Sequence, residues 1–160
     1  SELAAALALI MAATLPQLAA LPCNAADSGV QGHLASVDWL KKNLTSPDLV
    51  LVDASPAPLH RQNHIPGAVL STLFTFGPKD LPVEQIESHL RSWGVGSRQK
   101  VVLYDQGGTY MATRLFWDLV HHGLPAERLL ILDGGLSKWR ADGGAVTPEE
   151  TPKPDRKSVV

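Results

Sequence analysis

Lys100-Val101-Val102-Leu103-Tyr104-Asp105-Gln106-Gly107-Gly108-Thr109-Tyr110-Met111-Ala112-Thr113-Arg114 passes from an unbroken apolar run through a glycine-bearing loop into a helical pattern. A strand, a tight loop and a helix start make an anion cradle, because the first N–H groups of a helix lack partners and the peptide dipoles place partial positive charge there. Here the loop begins with Asp105, so the cradle carries its own anion. Downstream, Leu115, Phe116, Leu119 and Val120 supply the apolar stripe of a helix, and His121-His122-Gly123 ends it with cation-capable residues and a glycine stop.

The same grammar recurs on either side. Leu49-Val50-Leu51-Val52 is an apolar run closed by Asp53, and Leu129-Leu130-Ile131-Leu132 is closed by Asp133-Gly134-Gly135 and followed by a short helix, Leu136 to Ala141. A further short strand follows the turn in His64-Ile65-Pro66-Gly67-Ala68-Val69-Leu70. Ser36 caps a short helix to Asn43, and Pro82 to Trp93 carries Val83, Ile86, Leu90 and Trp93 on one stripe before Gly94. Residues 54–63, with Pro56, Pro58, His60 and Arg61, read as an irregular surface loop. Unbroken apolar strands alternating with helices predict an α/β fold, a central parallel β-sheet with helices on both faces. Ligands of such sheets sit beyond the carboxyl ends of the strands, where Asp53, Asp105 and Asp133 fall.

The 160 residues suffice for one domain, and a net charge of −2 without a basic run implies neither nucleic acid nor an anionic membrane as partner. The single cysteine, Cys23, excludes an intrachain disulfide framework and a thiolate metal cluster. Residues 1–26 read as a signal peptide or apolar leader: Leu3 to Ala13 is apolar, shorter than the roughly 20 residues a membrane span needs. The expectation is an exported, periplasmic protein without membrane association once the leader is removed; the alternative is an apolar N-terminal helix that packs or anchors. Residues 27–32 then form a linker, 33–146 the domain, and the proline-rich 147–160 a linker towards a second domain.

Four strings in order, Val50-Leu-Val-Asp-Ala54, His64-Ile-Pro-Gly-Ala68, Val101-Val-Leu-Tyr-Asp105 with Ala112-Thr-Arg-Leu-Phe-Trp117, and Leu132-Asp-Gly-Gly-Leu-Ser-Lys-Trp139, resemble the rhodanese family of sulfurtransferases. The resemblance runs from about His33 to Gly144. It implies a rhodanese-like fold and a persulfide-carrying cysteine as first residue of the loop after the central strand, where N–H groups lower a thiol's pKa. Asp105 stands at that position, and a carboxylate has no sulfur to persulfidate. The pattern is similar to the N-terminal, cysteine-free half of tandem thiosulfate or 3-mercaptopyruvate sulfurtransferases, whose other half carries the catalytic cysteine. The resemblance thus implies a small-molecule sulfur donor and acceptor, reached through a missing catalytic domain, and no cofactor. A stand-alone inactive module that binds or scaffolds a partner is the alternative, and the phosphatase variant of this fold a third.

Among individual residues, Asp105 is either a relic of the active-site loop or a structural acceptor that caps the helix. Asp53 and His64 lie where a carboxylate can orient an imidazole, and the resemblance implies that they face the catalytic half; otherwise they tie down residues 54–63. Tyr110 resembles a substrate-side tyrosine of the family. Arg114 is placed to reach an anion or to form a surface salt bridge. His60 and His64 have metal-ligand spacing on a helix, but the surrounding prolines argue against a helix and no third ligand is near.

Overall fold

The computed structural model describes residues 29–71 and 81–151. Its strands are β1 (Val30–Gln31), β2 (Leu34–Ala35), β3 (Leu49–Asp53), β4 (Val69–Leu70), β5 (Lys100–Tyr104) and β6 (Leu129–Leu132). The helices are α1 (Val37–Asn43), α2 (Ala57–Gln62), α3 (Val83–Ser92), α4 (Met111–His121) and α5 (Gly135–Ala141), with a 3₁₀ turn at Ala126–Arg128. The sheet order is β1-β2-β6-β5-β3-β4, parallel throughout except for the antiparallel β1–β2 edge.

Side chains alternate across each strand, and both faces are covered. On one face Leu51, Val102, Tyr104, Leu130 and Leu132 pack with Val37 and Leu40 of α1 and Leu136 and Trp139 of α5. On the other, Val52, Val101, Leu103 and Leu129 meet Ile86 of α3 and Ala112, Leu115 and Leu119 of α4. This double burial explains the unbroken apolar runs. At the top of β5 it also sends consecutive residues to opposite sides: Tyr104 joins the α1–α5 side, while Asp105 faces the start of α4.

The structure revises two local expectations. Residues 54–63 are not irregular: Ala57–Gln62 form α2, with Pro56 as N-cap and Pro58 in the first turn, where a missing N–H costs nothing. Val30 and Gln31, within the stretch expected as linker, form β1, and Gly29 at φ +61° accepts the Ser36 N–H at 2.7 Å. Thr147 returns to the domain through paired main-chain bonds with His64, each 2.9 Å, and the Thr151 hydroxyl donates to the Ala68 carbonyl at 2.8 Å. The apolar leader, Cys23 and residues 152–160 lie outside the described residues.

Candidate functional site

The loop after β5 is built around the Asp105 carboxylate. One oxygen accepts the Gly107 N–H at 2.8 Å; the other accepts the Ala112 N–H at 3.0 Å and the Thr109 hydroxyl. The carboxylate therefore occupies the cradle at the start of α4, and Asp105 is only 5% exposed. The loop backbone is fixed from the α5 side as well. The Asp105 carbonyl accepts Leu136 N–H at 2.8 Å, and the Gln106 carbonyl accepts both the N–H (3.0 Å) and the hydroxyl of Ser137.

That approach requires glycine at two places. Gly135 lies at φ +57°, and a Cβ there would stand 2.7 Å from the Asp105 carbonyl oxygen; one on Gly107, at φ +94°, would meet the Gly134 carbonyl oxygen at 2.5 Å. Beside the loop, a cleft of about 140 Å³ is lined by Asp105, Gly107, Thr109, Thr113 and Asp133. Asp133 at its rim pairs with Lys138 at 2.7 Å, and this carboxylate raises the lysine's pKa through the hydrogen bond and its charge.

Asp53, on the adjacent strand, is organised differently. Its two oxygens take the Ser55 N–H at 2.9 Å and Nδ1 of His60 at 2.8 Å. Tyr104, paired with Asp53 across the sheet, accepts the Ile65 N–H at 3.1 Å on its hydroxyl and lies within the electrostatic reach of this carboxylate. Burial first, and then the Asp53 charge, push the Tyr104 phenol far above the ordinary tyrosine range. The Asp53 carboxylate thus orients His60 rather than His64.

His64 stacks on His60, ring centroids 3.9 Å apart and planes 12° from parallel. Its Nδ1–H donates to the His60 carbonyl at 2.8 Å, since a carbonyl can only accept, and its buried Nε2 has no hydrogen-bond partner. His60 and His64 therefore do not converge on a metal position, and among the described residues no group of three or more His, Cys, Asp or Glu side chains is arranged to hold an ion.

The four residues singled out beside Asp105 thus separate into two sets. Asp53 and His64 are both 0% exposed and share one buried cluster through His60. Tyr110, 67% exposed, and Arg114 project from the start of α4. Arg114 pairs with Asp118 at 3.0 Å and lies over the Trp117 ring at 5.3 Å.

Three participants escaped the sequence reading. His60 was hidden by the prolines of α2, Tyr104 looked like an ordinary strand residue, and Gln106, which donates to the Ser55 hydroxyl at 3.0 Å, links the two loops across the sheet top. A polar ring ending an otherwise apolar strand, next to Asp53 in register, is the one signal that pointed to Tyr104.

Chemically, the loop presents no sulfur nucleophile, and its anion-binding donors are already committed to Asp105. Comparison with known proteins gives this arrangement its context. The rhodanese-like domain family matches residues 36–142. The chain is 35% identical over 126 residues to the mitochondrial thiosulfate/3-mercaptopyruvate sulfurtransferase 1 of Arabidopsis thaliana, covering 69% of this chain and 33% of that protein.

It is also 31% identical over 138 residues to a probable 3-mercaptopyruvate sulfurtransferase of Pseudomonas aeruginosa, covering 74% of this chain and 48% of that protein. Among solved structures, SseA from Escherichia coli, described as a 3-mercaptopyruvate sulfotransferase, superposes with a TM-score of 0.66 at 26% identity, covering 77% of this chain and 54% of that one. The chain spans less than half the length of these two curated relatives. Together with the parallel sheet and the loop at Asp105, these matches establish that the chain belongs to the rhodanese-like family, with homology to the thiosulfate and 3-mercaptopyruvate sulfurtransferases.

Proposed function

We propose that the chain is the non-catalytic rhodanese domain of a larger sulfurtransferase, which moves sulfane sulfur from thiosulfate or 3-mercaptopyruvate to a thiophilic acceptor such as cyanide or a thiol. The observation that carries this reading is the occupied cradle. Asp105 holds the Gly107 and Ala112 N–H groups and the Thr109 hydroxyl that a persulfide would need, and it offers no sulfur. Sulfur chemistry then belongs to a cysteine in a second, C-terminal domain, consistent with relatives about two to three times as long as the matched region.

In this reading the described domain contributes surface. Tyr110 and Arg114, exposed at the start of α4, are the side chains able to meet substrate or the catalytic half, whereas the buried Asp53 and His64 support the fold. Residues 1–26 act as an export leader and place the protein in the periplasm. The partners are a small sulfur donor and acceptor rather than nucleic acid or membrane.

The test is a cyanide-dependent thiocyanate assay with thiosulfate and with 3-mercaptopyruvate, on this 160-residue chain and on the complete protein. Turnover by the complete protein and none by this chain is the expected result. Turnover by this chain alone refutes the proposal.

A further inference from the structure

The sheet has a second end, and it carries a cleft unrelated to Asp53 and Asp105. Where β3 and β5 begin, Trp39, Asp48, Leu49, Arg98 and Lys100 line a concavity of about 420 Å³, inside the range of roughly 300 to 1,000 Å³ typical of small-molecule sites. Its backbone is held by main-chain bonds and one side-chain hydroxyl. Lys100 N–H donates to the Asp48 carbonyl at 2.8 Å, Leu49 N–H to the Ser46 carbonyl at 3.2 Å, and the Asp48 N–H to the Ser46 hydroxyl at 3.3 Å. The backbone beneath the cleft is therefore set by the register of β3 against β5, and the side chains of Asp48, Arg98 and Lys100 extend from it at exposed positions.

Its charges are uncommitted. Elsewhere on the described surface Arg91, Arg114 and Lys138 are paired with carboxylates and Lys41 and Arg128 are held by carbonyls, while Lys42, Arg61 and Arg140, on three separate helices, make no ion pair among the described residues; this cleft differs in that two such cations line it together. Arg98 and Lys100 make no ion pair among the described residues, and the Asp48 carboxylate beside them makes none either. One cleft thus offers a planar guanidinium and an ammonium for an oxyanion, a carboxylate acceptor for hydroxyl or amino donors, and the half-buried Trp39 with Leu49 as an apolar wall.

From this combination we infer that the cleft binds a nucleoside monophosphate. The phosphate sits on Arg98 and Lys100, the base lies against Trp39, and the ribose hydroxyls donate to Asp48. An inorganic anion alone would leave Asp48 facing it as a like charge and the indole wall unused; an uncharged nucleoside would leave both cations unpaired. This site stands independently of the sulfur-transfer reading.

Titration of the ¹⁵N-labelled full chain with AMP, adenosine and inorganic phosphate, followed by ¹H–¹⁵N spectra, tests it. AMP is expected to shift the Trp39 indole N–H and the Arg98 and Lys100 amides saturably, with adenosine and phosphate each at least about tenfold weaker. In Arg98→Ala/Lys100→Ala, whose changes are at exposed positions, the AMP response is lost while the rest of the spectrum is retained. No AMP response at millimolar concentration, an equal response to phosphate, or AMP shifts that persist in the double variant would each overturn the assignment.

Discussion

Asp53 and Asp105 close neighbouring parallel strands, both are buried, and both have their oxygens satisfied, yet they hold different things together. Asp105 binds its own loop: its partners lie two, four and seven residues downstream and, apart from the Thr109 hydroxyl, are main-chain N–H groups. Asp53, at the end of β3, joins elements: it bonds to His60 of α2 and sets its charge beside the Tyr104 phenol of β5. The first is a local cap, replaceable by another anion. The second is a tertiary junction whose loss strands an imidazole in the interior.

The contrast predicts unequal costs. Asp53→Ala leaves His60 Nδ1 and the Ser55 N–H without their acceptor in the interior, and an expected loss of about 3 kcal/mol in urea denaturation follows from breaking a buried polar network by removing one partner. Asp105→Ala frees the Gly107 and Ala112 N–H groups at a loop edge, where Gly107 can reach water, and about 2 kcal/mol is expected. Hydrogen exchange separates the two further. Protection in Asp105→Ala should fall chiefly in residues 106–113, whereas Asp53→Ala should loosen α2, the top of β3 and Ile65 together. Equal costs with identical exchange patterns would show that the sheet top is one cooperative unit.

Tyr104 gives a smaller effect with a distinctive pH signature. Its folded pKa lies above the unfolded value of about 10, because of burial and the Asp53 charge, partly opposed by the Ile65 N–H. A group with a raised folded pKa contributes stability in full below the unfolded value and loses it as pH rises beyond that value. Stability measured between pH 8 and pH 11 should therefore decline at the alkaline end. Tyr104→Phe should cost about 1 kcal/mol at neutral pH, for one lost hydroxyl, and flatten that alkaline decline. An unchanged slope in Tyr104→Phe would place the titrating group elsewhere.

The same two carboxylates show why some of the molecule was legible in its sequence. Asp105 could be read because strand, loop glycines and the stripe of α4 are contiguous, so the cap and the helix it serves appear in one window. The five main-sheet and helix signals at β3, β5, β6, α3 and α4 were equally visible, as double burial writes unbroken apolar runs and one-sided burial writes i, i+3 spacing, although Val83 and Val120 of the expected stripes are exposed. The junction at Asp53 was not. Pro56 and Pro58 read as breakers in the sequence although at a helix start they are tolerated, so the sequence puts His60 in a loop and offers His64 as the imidazole for Asp53. The two-residue strands β1 and β2 are too short to carry any period, and their pairing with β6 is a tertiary fact.

Arg114 supplies the smallest and most discriminating case, because one side chain has a structural and a functional reading. It is half exposed, its partner Asp118 is buried, and the order of charges, cation before anion at i, i+4, is the less favourable one along a helix. Arg114→Ala should thus cost only about 0.5 kcal/mol in this chain, and part of that should vanish at 1 M salt, where screening reaches about 3 Å. The residue also holds its guanidinium over Trp117 on the outward face of α4, one turn from Tyr110. If that face meets an anionic donor in the complete protein, Arg114→Ala raises KM for thiosulfate or 3-mercaptopyruvate while the urea midpoint moves only by the small shift that about 0.5 kcal/mol implies, and Arg114→Lys recovers only part of the lost affinity, since an ammonium lacks the planar fork. A change in stability alone, with KM unmoved, would confine Arg114 to the helix surface and leave Tyr110 as the exposed contact of that face.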